Sequence, residues 1–301
     1  MQQPVSQSQK AIAIFLLITF GLSSIYYFLM IHIGKIGAGG GLYVTGLMWS
    51  PALSAFITCK ILKRKISDLG WSWNKQGYLL WCYLIPLIYA IVSYLIIWIT
   101  GWGGFYNADF VTATAKSFGW DGLPNGAVIA LYFVFLATIG MVRNLSTALG
   151  EEIGWRGFLV PEVFKANTSY TKTSLIVGII WSLWHFPILI FADYNSGTPV
   201  WYGLTCFTVM VVSSSFIYTW FRLKTGSLWT GALLHASHNL FIQRFFTPLT
   251  KDTGHTKYFI DEFGAVLPVI SLIVGIYFWS RRGELKGLGG DVNSMPDVGG
   301  V

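Results

Sequence analysis

Charge is scarce in this chain. Asp, Glu, Lys and Arg make up only 11% of its 301 residues, and 54% are hydrophobic; an average soluble domain is roughly 25% charged. A soluble fold of this size could not hide that much apolar surface. Cysteine is also rare. Cys59, Cys82 and Cys206 are odd in number, widely spaced and embedded in or beside apolar segments, so they make no disulfide framework and no CxxC or zinc-knuckle spacing. HExxH, the signature of a helical zinc protease, does not occur. Neither an internal repeat nor a sustained apolar/polar alternation is present, which excludes a repeat array and a membrane β-barrel. The formal charge of +7 does not point to nucleic acid, because the basic residues sit in short loops between apolar runs.

What remains is a polytopic membrane protein. A spanning helix needs about 20 apolar residues. Eight runs qualify, at roughly 11–33, 42–62, 78–100, 126–148, 173–192, 202–222, 228–246 and 262–280. They predict an all-α transmembrane bundle forming one unit over 1–280, with its motif-bearing core at about 126–245. The Gly-rich and polar stretch 281–301 reads as a flexible cytoplasmic tail. Gly37 to Gly41 and Gly101 to Gly104 read as turns. The first run exceeds a signal-peptide core and lacks a small-residue cleavage site, so a retained span is expected. The assumed loops divide the basic residues fifteen to five, which puts both termini in the cytoplasm by positive-inside bias. The short loops suit a bacterial cytoplasmic membrane.

Ionisable residues inside apolar spans are costly and mark function by default. Three groups stand out. Glu151, Glu152 and Arg156 follow the fourth run; Glu152 and Arg156 are four apart and share a helix face, leaving Glu151 about 100° away without that partner. Trp181 and His185 lie in the fifth run, just before Pro187, which loosens the helix. His235, His238 and Asn239 lie in the seventh, with His235 and Asn239 on one face. Hydrolysis needs a base for water and donors for the developing oxyanion, and this set can supply both in a membrane-embedded, water-filled cavity. Intramembrane Glu and His also serve proton-coupled transporters, and a non-catalytic scaffold or immunity protein is a further alternative. Glu151, His185 and His235 could instead ligate zinc with an open fourth position.

In these residues the chain resembles the CPBP family, which holds the type II CAAX prenyl endopeptidases and related bacteriocin-processing and abortive-infection proteins. Its EExxxR motif is matched by Glu151, Glu152 and Arg156; its FxxxH by His185, with Trp181 in place of Phe; and its HxxxN by His235 and Asn239. The resemblance implies an intramembrane protease acting on a membrane-associated, lipidated or precursor peptide substrate. It implies Glu151 as general base with His185, and His235 with Asn239 as the oxyanion pair. Glu152, Arg156, Trp181 and His238 would support the site. On this glutamate mechanism no cofactor is required, and membrane lipid and the substrate are the expected partners.

Overall fold

The computed structural model describes residues 2–33, 41–73, 75–192 and 194–285. The chain is an α-helical bundle, as its continuous apolar runs predict: in hydrocarbon every backbone N–H and C=O must be satisfied within the segment. Helices α1 (Gln2–Ile33), α2 (Leu42–Ile61) and α3 (Gln76–Ile99) are followed by a short helix α4 (Ala108–Phe118). Then come α5 (Asn125–Asn167), α6 (Tyr170–Phe191) and α7 (Val200–Thr225). Helix α8 starts at Trp229–His238 and runs on through a π-helical stretch, Asn239–Phe246; α9 spans Val266–Ser280. One two-residue pairing, β1 (Gly104–Phe105) with β2 (Thr250–Lys251), ties two loops together in antiparallel register.

Among the described residues, six helices are long and apolar enough to cross a membrane: α1, α2, α3, α5, α6 and α7. The other two expected spans are helical but depart from that standard. Helix α8 carries His235, His238, Asn239, Gln243 and Arg244, and α9 has only 15 residues, about 22 Å at 1.5 Å per residue. Leu17, Phe28, Ile99, Ile139 and Val142 point outward, the distribution that a lipid-facing belt requires.

Two differences from the sequence reading matter for the site. The fourth run does not end near residue 148. Helix α5 continues to Asn167 and is widened by two π-helical stretches, Leu136–Gly140 and Ile153–Leu159. Glu151 and Glu152 therefore sit inside a helix and inside the bundle, not at a solvated helix end. Helix α4 was also unforeseen in the loop after α3; the Asn107 side chain caps it by accepting from the backbone N–H groups of Asp109 and Phe110. Of the tail, Arg281–Leu285 form a 3₁₀ turn with Leu285 buried, and 286–301 lie outside the described residues.

Most basic loops meet at one end. Glu162 near the end of α5 pairs with Arg64 beyond α2 at 2.9 Å and with Lys165 at 3.1 Å. Lys75 donates to the Lys224 carbonyl after its approach to the end of α7, and Lys224 pairs with Glu284.

Close backbone approach sets how α2 meets α5. A side chain at Gly154 would place its Cβ 2.4 Å from the Pro51 Cβ and 2.8 Å from the Pro51 carbonyl. Small residues let membrane helices approach in this way. Gly154→Leu is expected to force α2 off α5 and destabilise the protein by about 1–3 kcal/mol or more; a thermal melt of the variant in detergent that matches the unsubstituted protein would contradict this packing.

Candidate active site

The site is assembled where the second π-helical stretch of α5 faces α6, α7 and α8. Such widened turns are frequent at functional sites. Glu151 and Glu152 immediately precede it, and adjacent helical positions diverge by about 100°. The two carboxylates thus enter different surroundings.

Glu152 faces inward. Its Oε1 accepts from Arg156 Nη1 at 2.9 Å and pairs with His235 Nδ1 at 2.9 Å, joining α5 to α8. Both Glu152 and Arg156 have 0% of their surface exposed. The Arg156 guanidinium lies between two rings, 4.1 Å from the Trp181 centroid and 4.0 Å from that of Tyr218. These cation–π contacts replace part of the hydration it has lost. The Arg156 carbonyl in turn accepts from Arg222 Nε at 2.6 Å, which brings in α7. Gly231 on α8 makes room for the pair, since a Cβ there would fall 2.6 Å from Glu152 Oε2.

Glu151 turns toward a cavity of about 390 Å³. Its Oε2 accepts from two indoles, Trp181 Nε1 at 2.8 Å and Trp155 Nε1 at 3.2 Å. Oε1 has no partner among the described residues. Trp181 stands where the resemblance has Phe, and the exchange adds a donor that Phe lacks. That donor orients the carboxylate, a consequence beyond packing.

His185 Nδ1 lies 2.9 Å from the Trp181 carbonyl. A carbonyl only accepts, so Nδ1 carries the proton and Nε2 of the neutral ring has a free lone pair. His235 likewise directs its Nδ1–H at Glu152, and its Nε2 has no partner among the described residues. Helix α1 steadies this turn of α6: Tyr27 donates to the Trp184 carbonyl, and Trp184 Nε1 donates to Ser23 at 2.8 Å. Asn239 opens the π-helical stretch of α8 and lines the same cavity, together with Glu151, His185 and His235.

His238 does something else. Both of its ring nitrogens are engaged, Nδ1 with the Tyr89 hydroxyl and Nε2 with Glu262 Oε1 at 2.8 Å. Glu262 Oε1 also accepts from Gln243 at 3.0 Å, and Tyr194 approaches Oε2 at 3.4 Å. Glu262, Gln243 and Tyr194 all line the cavity, and none was singled out from the sequence. Glu262 stood at the very edge of an expected span, where an acid passes as solvated; an ionisable residue counted within the run was the available signal. In the same loop, burial and then the adjacent Glu262 charge push the Asp261 carboxyl up from the ordinary range.

Among the described residues no group of three His, Cys, Asp or Glu side chains is gathered as a metal requires, and Glu151 Oε2 is occupied by two indole N–H groups.

Residues 129–241 match the family model described as type II CAAX prenyl endopeptidase Rce1-like. The chain is 28% identical over 277 residues to CAAX prenyl protease 2 of Methanococcus maripaludis, a match covering 87% of this chain and 92% of the relative. It is also 28% identical over 115 residues to the uncharacterized protein YyaK of Bacillus subtilis, covering 38% of this chain and 36% of that one. The family match takes in Glu151, His185, His235 and Asn239 but stops short of Gln243 and Glu262.

Removing one member of a fully buried ion pair strands the other. Glu152→Ala is expected to cost about 3–5 kcal/mol and to release His235 as well. Chemical denaturation of the variant in detergent checks this, and an unchanged midpoint would refute the structural role of the pair.

Proposed function

We propose that the chain, similar through its motif-bearing core to the CAAX-type proteases of the CPBP family, hydrolyses a peptide bond of a membrane-associated substrate with a Glu151-activated water. The substrate class is a prenylated, CAAX-type protein or a peptide precursor. One observation carries this reading: a carboxylate, two imidazoles and an amide from three helices line one cavity in an otherwise apolar bundle.

The chemistry follows from the hydrogen bonds. The two indole donors hold Glu151 by Oε2 and leave Oε1 to take a proton from water. His185 Nε2, with its lone pair free, accepts the water's second hydrogen and orients it. The resulting hydroxide attacks the scissile carbonyl carbon, and the oxyanion forms against Asn239 and His235. The Asn239 amide is a donor as it stands; His235 donates through Nε2 as the imidazolium, beside the Glu152 carboxylate. As the tetrahedral intermediate collapses, the C–N bond breaks and Glu151 returns its proton to the leaving amine. General-base catalysis contributes about 10²–10⁴-fold, and each oxyanion donor about 10²–10³-fold. Arg156 acts at one remove, by holding the carboxylate that positions His235. No step runs through a metal.

The protein is an integral membrane protein, with six helices of spanning length and apolarity. We place the end that gathers Arg64, Lys75, Lys165 and Lys224 in the cytoplasm of a bacterial cell, with both termini on that side; the charge bias supports this. Reporter fusions at each terminus that become active only outside the cytoplasm would reverse it.

Glu151→Gln keeps the shape of the side chain and removes the base. It is expected to fold and to lose at least about 100-fold in kcat/KM against a peptide pool that includes a prenylated CAAX peptide. Cleavage by the unsubstituted protein is expected to persist in a zinc chelator. Full activity of Glu151→Gln would overturn the assigned base, and loss in the chelator restored by added zinc would overturn the metal-free mechanism.

A further inference from the structure

Helix α8 changes pitch in the middle of the site. Trp229–His238 is regular α-helix, and Asn239–Phe246 is π-helical. The Thr247 N–H accordingly donates to the Ile242 carbonyl, five residues back. Most π-helical turns are single and isolated, so a stretch of eight residues calls for contacts that hold it. One oxygen spans the change of pitch. Glu262 Oε1 accepts from His238 Nε2 at 2.8 Å and from Gln243 Nε2 at 3.0 Å. On a regular α-helix two residues five apart point about 140° away from each other. A helix closed by i→i+5 bonds turns less per residue and brings them toward one face. The shared oxygen is therefore matched to the π-helical geometry, and rewinding α8 would pull the two donors apart.

The acid is itself held from outside α8. Its backbone N–H donates to Asp261 Oδ1 at 2.8 Å, and the Asp261 N–H donates to the Tyr94 hydroxyl of α3 at 3.3 Å. The next residue, Phe263, stacks on Phe207 of α7 with ring centroids 5.7 Å apart. Tyr89 of α3 engages the other nitrogen of His238, and the Tyr194 hydroxyl accepts from Gln243 at 3.3 Å. Glu262 and His238 are both buried, and a buried donor left without its acceptor is costly. Rotation of α8 about its axis is thus pinned twice, at His235 by Glu152 and at His238 by Glu262. Asn239 is the next residue, about 100° round the helix, and it lines the cavity.

We propose that Glu262 is a positioning residue for hydrolysis: by clamping His238 and Gln243 across the π-helical stretch, it fixes the direction in which Asn239 presents its amide to the cavity. The inference rests on the oxyanion role given to Asn239 above. Glu262 touches no reacting atom in this role, because the oxygen that matters accepts from two N–H groups of the protein. An accepting oxygen is what the clamp requires; a negative charge is not. That separates it from a second acid or base, for which the ionisable proton is essential.

The test uses full-length protein in detergent with Glu262→Ala, Glu262→Gln and Gln243→Leu. Cleavage of a prenylated CAAX peptide is followed, and amide hydrogen exchange is read by mass spectrometry on the same samples. Glu262→Ala is expected to lower kcat about 100-fold with KM within about three-fold, since a displaced donor forfeits a transition-state contact and not substrate binding. Gln243→Leu removes one end of the clamp and is expected to lower kcat roughly ten-fold. Glu262→Gln keeps the accepting oxygen and is expected to hold kcat within about three-fold of the unsubstituted protein. In an Asn239→Ala background, Glu262→Ala is expected to cost less than about three-fold more, because the group it acts through is gone. Exchange at residues 240–247 is expected to rise in Glu262→Ala but not in Glu262→Gln, with α6 unchanged. Full activity of Glu262→Ala, a loss carried by KM, or losses that multiply in the Asn239→Ala background overturns the proposal. Glu262→Gln as inactive as Glu262→Ala overturns it too, and assigns Glu262 a proton-transfer role instead. If Glu262→Ala does not fold, Gln243→Leu carries the same comparisons. If the unsubstituted protein cleaves nothing, the endopeptidase reading falls, and the exchange result alone decides whether the clamp stands.

Discussion

The fully buried pair of Glu152 and Arg156 is the contact around which the site is organised. Taking both charges out of water costs several kcal/mol per ion, and their attraction offsets this only if further partners are supplied. The fold supplies some of them: His235 comes from α8, the Trp181 ring from α6 and the Tyr218 ring from α7, while Arg222 of α7 donates to the Arg156 backbone carbonyl and Glu152 Oε2, Arg156 Nε and Arg156 Nη2 have no hydrogen-bond partner among the described residues. Satisfying one charge pair thus draws four helices together at one level. The same contacts fix the tautomer and direction of His235 and bring Trp181 to the Glu151 carboxylate.

Local helix geometry divides the labour between two adjacent acids. Glu152 is committed to structure, and Glu151, turned away by about 100°, keeps one carboxylate oxygen free beside the cavity. The indole of Trp181 serves both: its face lies on Arg156 and its N–H is given to Glu151. A phenyl ring could do only the first. The π-helical stretches that begin beside Glu152 and at Asn239 widen the two helices where their polar side chains must diverge from regular spacing.

A second polar layer closes the cavity on the far side of His238. Tyr89, Glu262, Gln243 and Tyr194 form a connected set around that imidazole. Its role is distinct from that of His235, three residues earlier. One ring keeps a nitrogen free beside the cavity; the other has both nitrogens engaged. Spacing along a helix cannot separate these two histidines, because only the partners across the bundle do so.

The amino-acid sequence alone determined the class of the molecule and its chemical inventory. Long apolar runs leave no soluble alternative, and a carboxylate–imidazole–amide set in a chain so poor in charge could be picked out by residue number. The i, i+4 pairing of Glu152 with Arg156 follows from helix geometry and was legible too. Tertiary structure decided what depends on contacts between distant segments. It carried α5 through to Asn167 and so moved the paired acids from a helix end into the interior. It brought Glu262 from a loop onto His238 and made Trp181 a donor to Glu151. The reason is physical: helical periodicity acts within about four residues, whereas burial and hydrogen-bond satisfaction are settled between segments that only the folded bundle brings together.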